Sequence, residues 1–98
     1  MKIKYIVNAV KWWDKVNGNT YHSVRVTRCE DGKQLAGEMQ YGYGDHYRQT
    51  ALEIMVQAGW ISDKYKIRPY LFERENDYPI SWNVQDGKKR ECIANGIL

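Results

Sequence analysis

Asn17-Gly18 and Asp31-Gly32 each sit between runs rich in β-branched and aromatic residues, and this constrains the fold more than any other feature of the chain. Such dipeptides supply the positive φ values that tight hairpin turns require. Lys2–Trp13, Thr20–Cys29 and the stretch from Leu35 to Tyr43 are therefore expected to be three strands of an antiparallel meander. In the first, Ile3, Tyr5, Val7 and Ala9 alternate against Lys2, Lys4, Ile6 and Asn8. Ile6 and Val10 add apolar groups to the second face, which suits a central strand. In the second, His22, Val24, Val26 and Arg28 share one face and Tyr21, Ser23, Arg25, Thr27 and Cys29 the other. Val24 and Val26 are expected to face the core, with Arg25 pointing outward. In the third, Leu35, Gly37, Met39, Tyr41 and Tyr43 are expected on one face.

The periodicity then changes. Tyr47, Ala51, Leu52, Ile54, Met55 and Ala58 recur at helical spacing. Asp45 is the expected N-cap, without a full capping box because position 48 is Arg, and Gly59 is the expected C′ residue. Lys66–Glu73 reads as an edge or irregular strand because of Pro69, followed by a polar loop over 74–79. Ile80–Val84 and Arg90–Ile93 read as a last hairpin closed by Asp86-Gly87. The expected fold is a single α+β domain over residues 1–98. It is an antiparallel sheet, a three-stranded N-terminal meander plus a C-terminal hairpin, with one helix packed on one face.

Charge bounds the function classes. The 98 residues carry a formal net charge of +3, much weaker than the dense basic pattern of a committed nucleic-acid binder. Residues 1–30 nevertheless hold six basic and two acidic side chains, so any positive face belongs to the first hairpin. Cys29 and Cys92 form no CxxC pair, and the N-terminus has no sustained apolar run. No stretch approaches a membrane-spanning length. A reducing cytoplasm with two free thiols is the expected setting. A Cys29–Cys92 disulfide would require neighbouring strands and export.

No catalytic signature accompanies these elements. Gly42-Tyr43-Gly44-Asp45 precedes a helix as a phosphate loop does, but neither GxxxxGK[ST] nor GxGxxG is present, and Asp45 would repel phosphate. The glycines are explained by the exit from sheet to helix. His22, Cys29, His46 and Cys92 lack zinc-site spacing, so no metal and no cofactor are expected. Glu73, Glu75 and Asp77 read as a solvated charge run.

Two clusters are candidates for binding. Tyr43, His46 and Arg48 concentrate aromatic and donor groups at the sheet-to-helix turn, and Tyr and Arg are side chains that interface hot spots favour. Trp12 and Trp13 must point to opposite strand faces. The exposed one, beside Lys11, Lys15, Arg25 and Arg28, would suit base stacking on single-stranded nucleic acid.

The stretch from Asn17 to Val26, with Gln40-Tyr41-Gly42-Tyr43-Gly44-Asp45 and Gln49-Thr50-Ala51, resembles small proteins of unassigned function encoded in tailed-bacteriophage and prophage genomes. The resemblance covers residues 3–60 and implies context only: a phage-derived protein acting inside a bacterial host cell. It carries no family site residues. The expected function is a non-catalytic binding protein acting on a host or phage protein, such as an inhibitor of a host-defence system. The alternative is a nucleic-acid-binding accessory protein using the basic aromatic hairpin. No membrane partner is expected, and a homodimer is compatible with the sequence.

Overall fold

The computed structural model describes residues 2–98. The meander is present: β1 (Tyr5–Asp14), β2 (Asn19–Arg28) and β3 (Gln34–Tyr41) pair antiparallel. Gly18 and Gly32 close its two turns at φ +69° and +75°. The first turn is also tied by the Asp14 carboxylate, which accepts from the Val16 and Asn17 N–H groups and from Asn17 Nδ2. These bonds, the Asn17 side chain first, hold the Asp14 pKa below the usual carboxylate value.

Beyond β3 the chain runs through α1 (His46–Gln57), a 3-10 turn at Asp63–Tyr65, α2 (Pro69–Glu75), β4 (Ile80–Asp86) and α3 (Lys89–Asn95). The sheet order is β3-β2-β1-β4, so β1 is central, as its two apolar faces require. β4 pairs with β1 in parallel, and the sheet is mixed rather than antiparallel. A parallel partner needs a crossover, and α1, the 3-10 turn and α2 supply it.

Three sequence expectations are corrected here. Lys66–Glu73 is not a strand: Pro69 opens α2, where its missing N–H is no loss and its fixed φ suits the first turn. The C-terminal hairpin does not exist. The Gly87 N–H continues the parallel ladder onto the Lys11 carbonyl, and the Glu91 carboxylate, accepting from the Lys88 N–H, helps start α3 instead. Among the described residues there are thus three α-helices, and both faces of the sheet are covered.

The front face holds the main core. Val7, Val26 and Ile80 pack against Ala51, Leu52 and Met55 of α1 and Phe72 of α2, with Ala9, Val24 and Tyr47 adjoining. Truncating one such side chain, Leu52→Ala, costs about 2–5 kcal/mol by the usual range for buried leucines. Gly37 of β3 faces Val24 and Thr50 so closely that a Cβ would lie 2.9 Å and 3.2 Å from their methyl groups, which lets α1 sit tight on the sheet.

α1 ends as expected: Gly59 lies at φ +76°. Its N–H bonds the Val56 carbonyl and that of Trp60 bonds Met55, the paired closure of a Schellman end. Asp45 occupies the N-cap position, but its side chain makes no capping bond.

On the back face α3 crosses the meander. Cys92 is buried with its Sγ–H on the Val10 carbonyl, and Asn95 Nδ2 donates to the carbonyls of Asn8 and Ser23. Cys29 is exposed and both thiols are free, so the pairing that export would have allowed is not made.

Candidate binding surface

The sheet-to-helix junction is organised around a buried histidine. His22 is fully enclosed; one ring nitrogen lies 3.1 Å from the Gly42 carbonyl and the other 2.7 Å from the Thr50 hydroxyl. A carbonyl only accepts, so Nδ1 carries the proton and Nε2 accepts from Thr50. Burial lowers the His22 pKa, the bond to Gly42 opposes that, and His46 and Lys11 add to the lowering. The ring thereby pins β2, the Gly42 turn and α1 together while it is neutral. Gly42 is required by this arrangement, since a Cβ there would lie 2.7 Å from the His22 ring and 2.8 Å from that of His46.

Over this pin the outer residues form a shallow pocket of about 360 Å³ lined by Tyr41, Gly42, Tyr43, Asp45, His46 and Gln49. Tyr43 is 71% exposed and Tyr41 57%. The His46 ring stands 5.1 Å from that of His22. Arg48 does not join them. It points along α1 to lie over Trp82, 4.8 Å from the ring centroid, and 5.9 Å from that of Tyr47. Of the three junction residues singled out in the sequence, Tyr43 and His46 are brought together and Arg48 is withdrawn into packing.

Tyr41 takes its place through a bulge. The pairing of β2 with β3 shifts between His22 and Val24, so an odd number of extra residues reverses the alternation beyond Gly37. Leu35 and Gly37 face the front core, whereas Tyr41 pairs with Tyr21 and shares its back face. Their rings make an edge-on contact at 6.0 Å.

That contact extends into a row. Trp12, Tyr21 and Tyr41 are direct cross-strand neighbours on β1, β2 and β3, and Trp12 stacks on Tyr21 at 5.4 Å. Lys89, from the start of α3, holds its ammonium 5.4 Å over the Trp12 ring. Trp13 points to the opposite face and is 55% exposed. No local signal reveals the Lys89 contact, because the return of α3 to the meander is purely tertiary.

The two arginines expected beside these tryptophans are elsewhere. Arg25 is not an outward surface cation: α3 covers it, and its Nη2 donates to the Ala94 and Ile97 carbonyls at 3.2 and 2.6 Å. Arg28 lies at the far end of the front face, 4.3 Å from the Trp60 ring centroid. It forms a two-pronged bond to Asp31, whose carboxyl pKa the guanidinium holds down at about 2. The grouping of Trp12, Trp13, Arg25 and Arg28 is therefore dispersed over two faces and both ends of the sheet.

Among the described residues no three His, Cys, Asp or Glu side chains converge as metal ligands, and no helix is long and apolar enough to cross a membrane. Compared with known proteins, the chain matches no family model, no curated protein and no solved structure.

Proposed function

We propose that this chain is a non-catalytic binding protein that engages another protein through the Tyr41–Tyr43–His46 surface. The observation that carries this reading is two strongly exposed tyrosines held over a rigid base. A tyrosine loses little conformational freedom on binding and offers both an apolar ring and a hydroxyl, so exposed tyrosines on a preformed ledge make effective anchors. We further propose, on the sequence reading of residues 3–60 alone, a partner of phage or bacterial-host origin, a host-defence component being one such target.

The test is affinity capture from bacterial lysate with and without nuclease. A stoichiometric protein is expected to survive nuclease digestion. Its affinity should fall at least about tenfold with Tyr43→Ala, as for an interface anchor. Arg48→Ala should leave that affinity intact, because Arg48 packs on Trp82. Recovery of nucleic acid alone would reject the protein-partner reading.

A second reading has its own observation. The Trp12–Tyr21–Tyr41 row under Lys89 is an aromatic strip of the kind on which single-stranded bases stack. It predicts affinity that falls steeply with added salt, whereas a tyrosine-anchored protein interface would be far less sensitive.

A further inference from the structure

A strand at the edge of a sheet exposes a row of unpaired N–H and C=O groups, and this sheet treats its two edges differently. At the β3 edge the pairing with β2 is broken by the bulge, Glu38 sits mid-strand, and the end of α3 presses on Gly37 and Glu38. β4 has none of these guards. Among the described residues no strand lies beyond it, and its register with β1 runs unbroken from Ile80 to Asp86. It holds no Lys, Pro or Gly, and its one charge, Asp86, stands at the end. Asn83, Val84, Gln85 and Asp86 are all exposed, Val84 to 45%.

Which backbone groups are open follows from the ladder with β1. At one end the Pro79 carbonyl accepts from the Tyr5 N–H, and at the other the Gly87 N–H donates to the Lys11 carbonyl. The odd-numbered residues of β4 therefore turn N–H and C=O towards β1, as alternate residues do in a parallel pair. Trp82, Val84 and Asp86 turn theirs outward. A strand added here forms its close hydrogen-bonded pairs at these even positions.

We propose that the outer edge of β4 pairs antiparallel with β4 of a second copy of the chain, about a twofold axis at Asn83. This register uses the whole of Ile80–Asp86 and pairs outward groups with outward groups. Trp82 then lies opposite the partner's Val84, an aromatic–β-branched pair that covers the exposed valine. On the other face Ser81 meets the partner's Gln85, and Asn83 meets its own copy, polar groups able to hydrogen-bond across the axis. Asp86 falls opposite the partner's Ile80, so the two Asp86 carboxylates stand about 20 Å apart and are screened from each other. A charge at the middle of the strand would instead have met itself. The contact is isologous: it consumes the open edge of both copies, so assembly closes at two. It uses no residue of the Tyr41–Tyr43–His46 surface and stands independently of the function proposed above.

One strand pair buries less than a standard interface, so the expected dissociation constant is on the order of 100 μM. Sedimentation of the whole chain between about 10 μM and about 1 mM should pass from monomer to dimer. Hydrogen exchange reports the register. The Trp82 and Val84 amides should gain protection as concentration rises, whereas those of Asn83 and Gln85, already turned to β1, should not. In a Cys29→Ser background, Asn83→Cys should cross-link on mild oxidation, because opposed residues of a non-hydrogen-bonded pair stand about 4.5 Å apart at Cα. Gln85→Cys should not, since its copy lies about 14 Å away. Val84→Pro removes only an outward N–H and should weaken the dimer at least about tenfold; Val84→Lys makes the same test without constraining the backbone. A chain still monomeric at the highest concentration would overturn the proposal. So would protection that ignores the odd–even alternation, equal cross-linking of the two cysteine variants, or undiminished association of both Val84 variants.

Discussion

His22 shows how one side chain can hold a junction and make it sensitive to acid. Its folded-state pKa lies below the ordinary value near 6.5 because burial disfavours the charged ring. The unfolded chain therefore binds the proton more readily, and stability rises with pH through that region. The contribution of neutral His22 is fully present above about pH 6.5, its unfolded value, and is lost as pH falls below it. Urea midpoints should accordingly drop between pH 7.5 and 5.5, and His22→Gln should flatten that dependence while lowering stability at pH 7.5. An unchanged slope in the variant would assign the effect to other groups. Neighbouring Gly42 is constrained just as tightly. Gly42→Ala places a methyl against two imidazole rings and should cost about 1–3 kcal/mol, the usual range for overpacking.

Among the elements, α1 was the one whose limits were readable in advance, since its apolar stripe and terminal glycine are local features. Gly59→Ala should cost about 1 kcal/mol, because φ +76° is reached by alanine only against steric repulsion. For a domain of this length that lowers Tm by about 4–8 °C, measurable by calorimetry. β2 and β3 were legible as strands, but the bulge between them was not. It reverses the face of Tyr41 without any change in composition. α2 and α3 were misread as strands for a related reason. Each has seven residues, fewer than two full turns beyond the caps, too short for helical periodicity to outweigh Pro69 in one and Asp86-Gly87 in the other.

For the whole molecule, α3 decides which surfaces remain open. It buries Cys92 and tethers Arg25, while Cys29 stays exposed. A thiol reagent at pH 8 should therefore titrate Cys29 at once and Cys92 only on unfolding, burial having raised the pKa of the latter. Gly96 is the seal. A Cβ there would lie 2.8 Å from the Gly37 carbonyl oxygen and 2.9 Å from Glu38 Cα, backbone atoms with little room to yield. Gly96→Ala should lift the end of α3 and make Cys92 reactive under native conditions. Retention of slow Cys92 chemistry in that variant would show that α3 is held by its other contacts alone.

The sequence by itself determined the meander, its two glycine turns, the Val24–Val26 face and the long helix with both its ends. Each of these follows from interactions between residues close in the chain, or from an alternation that a strand enforces locally. It also marked Tyr43 and His46, which flank the turn that unites them. Only the tertiary structure decided that β4 runs parallel to β1, that α3 returns over the back face, and that Arg25, Arg28 and Arg48 are spent in packing. Those outcomes depend on which distant surfaces meet: a guanidinium reads the same in the chain whether it ends in solvent, over a tryptophan or beneath a helix terminus.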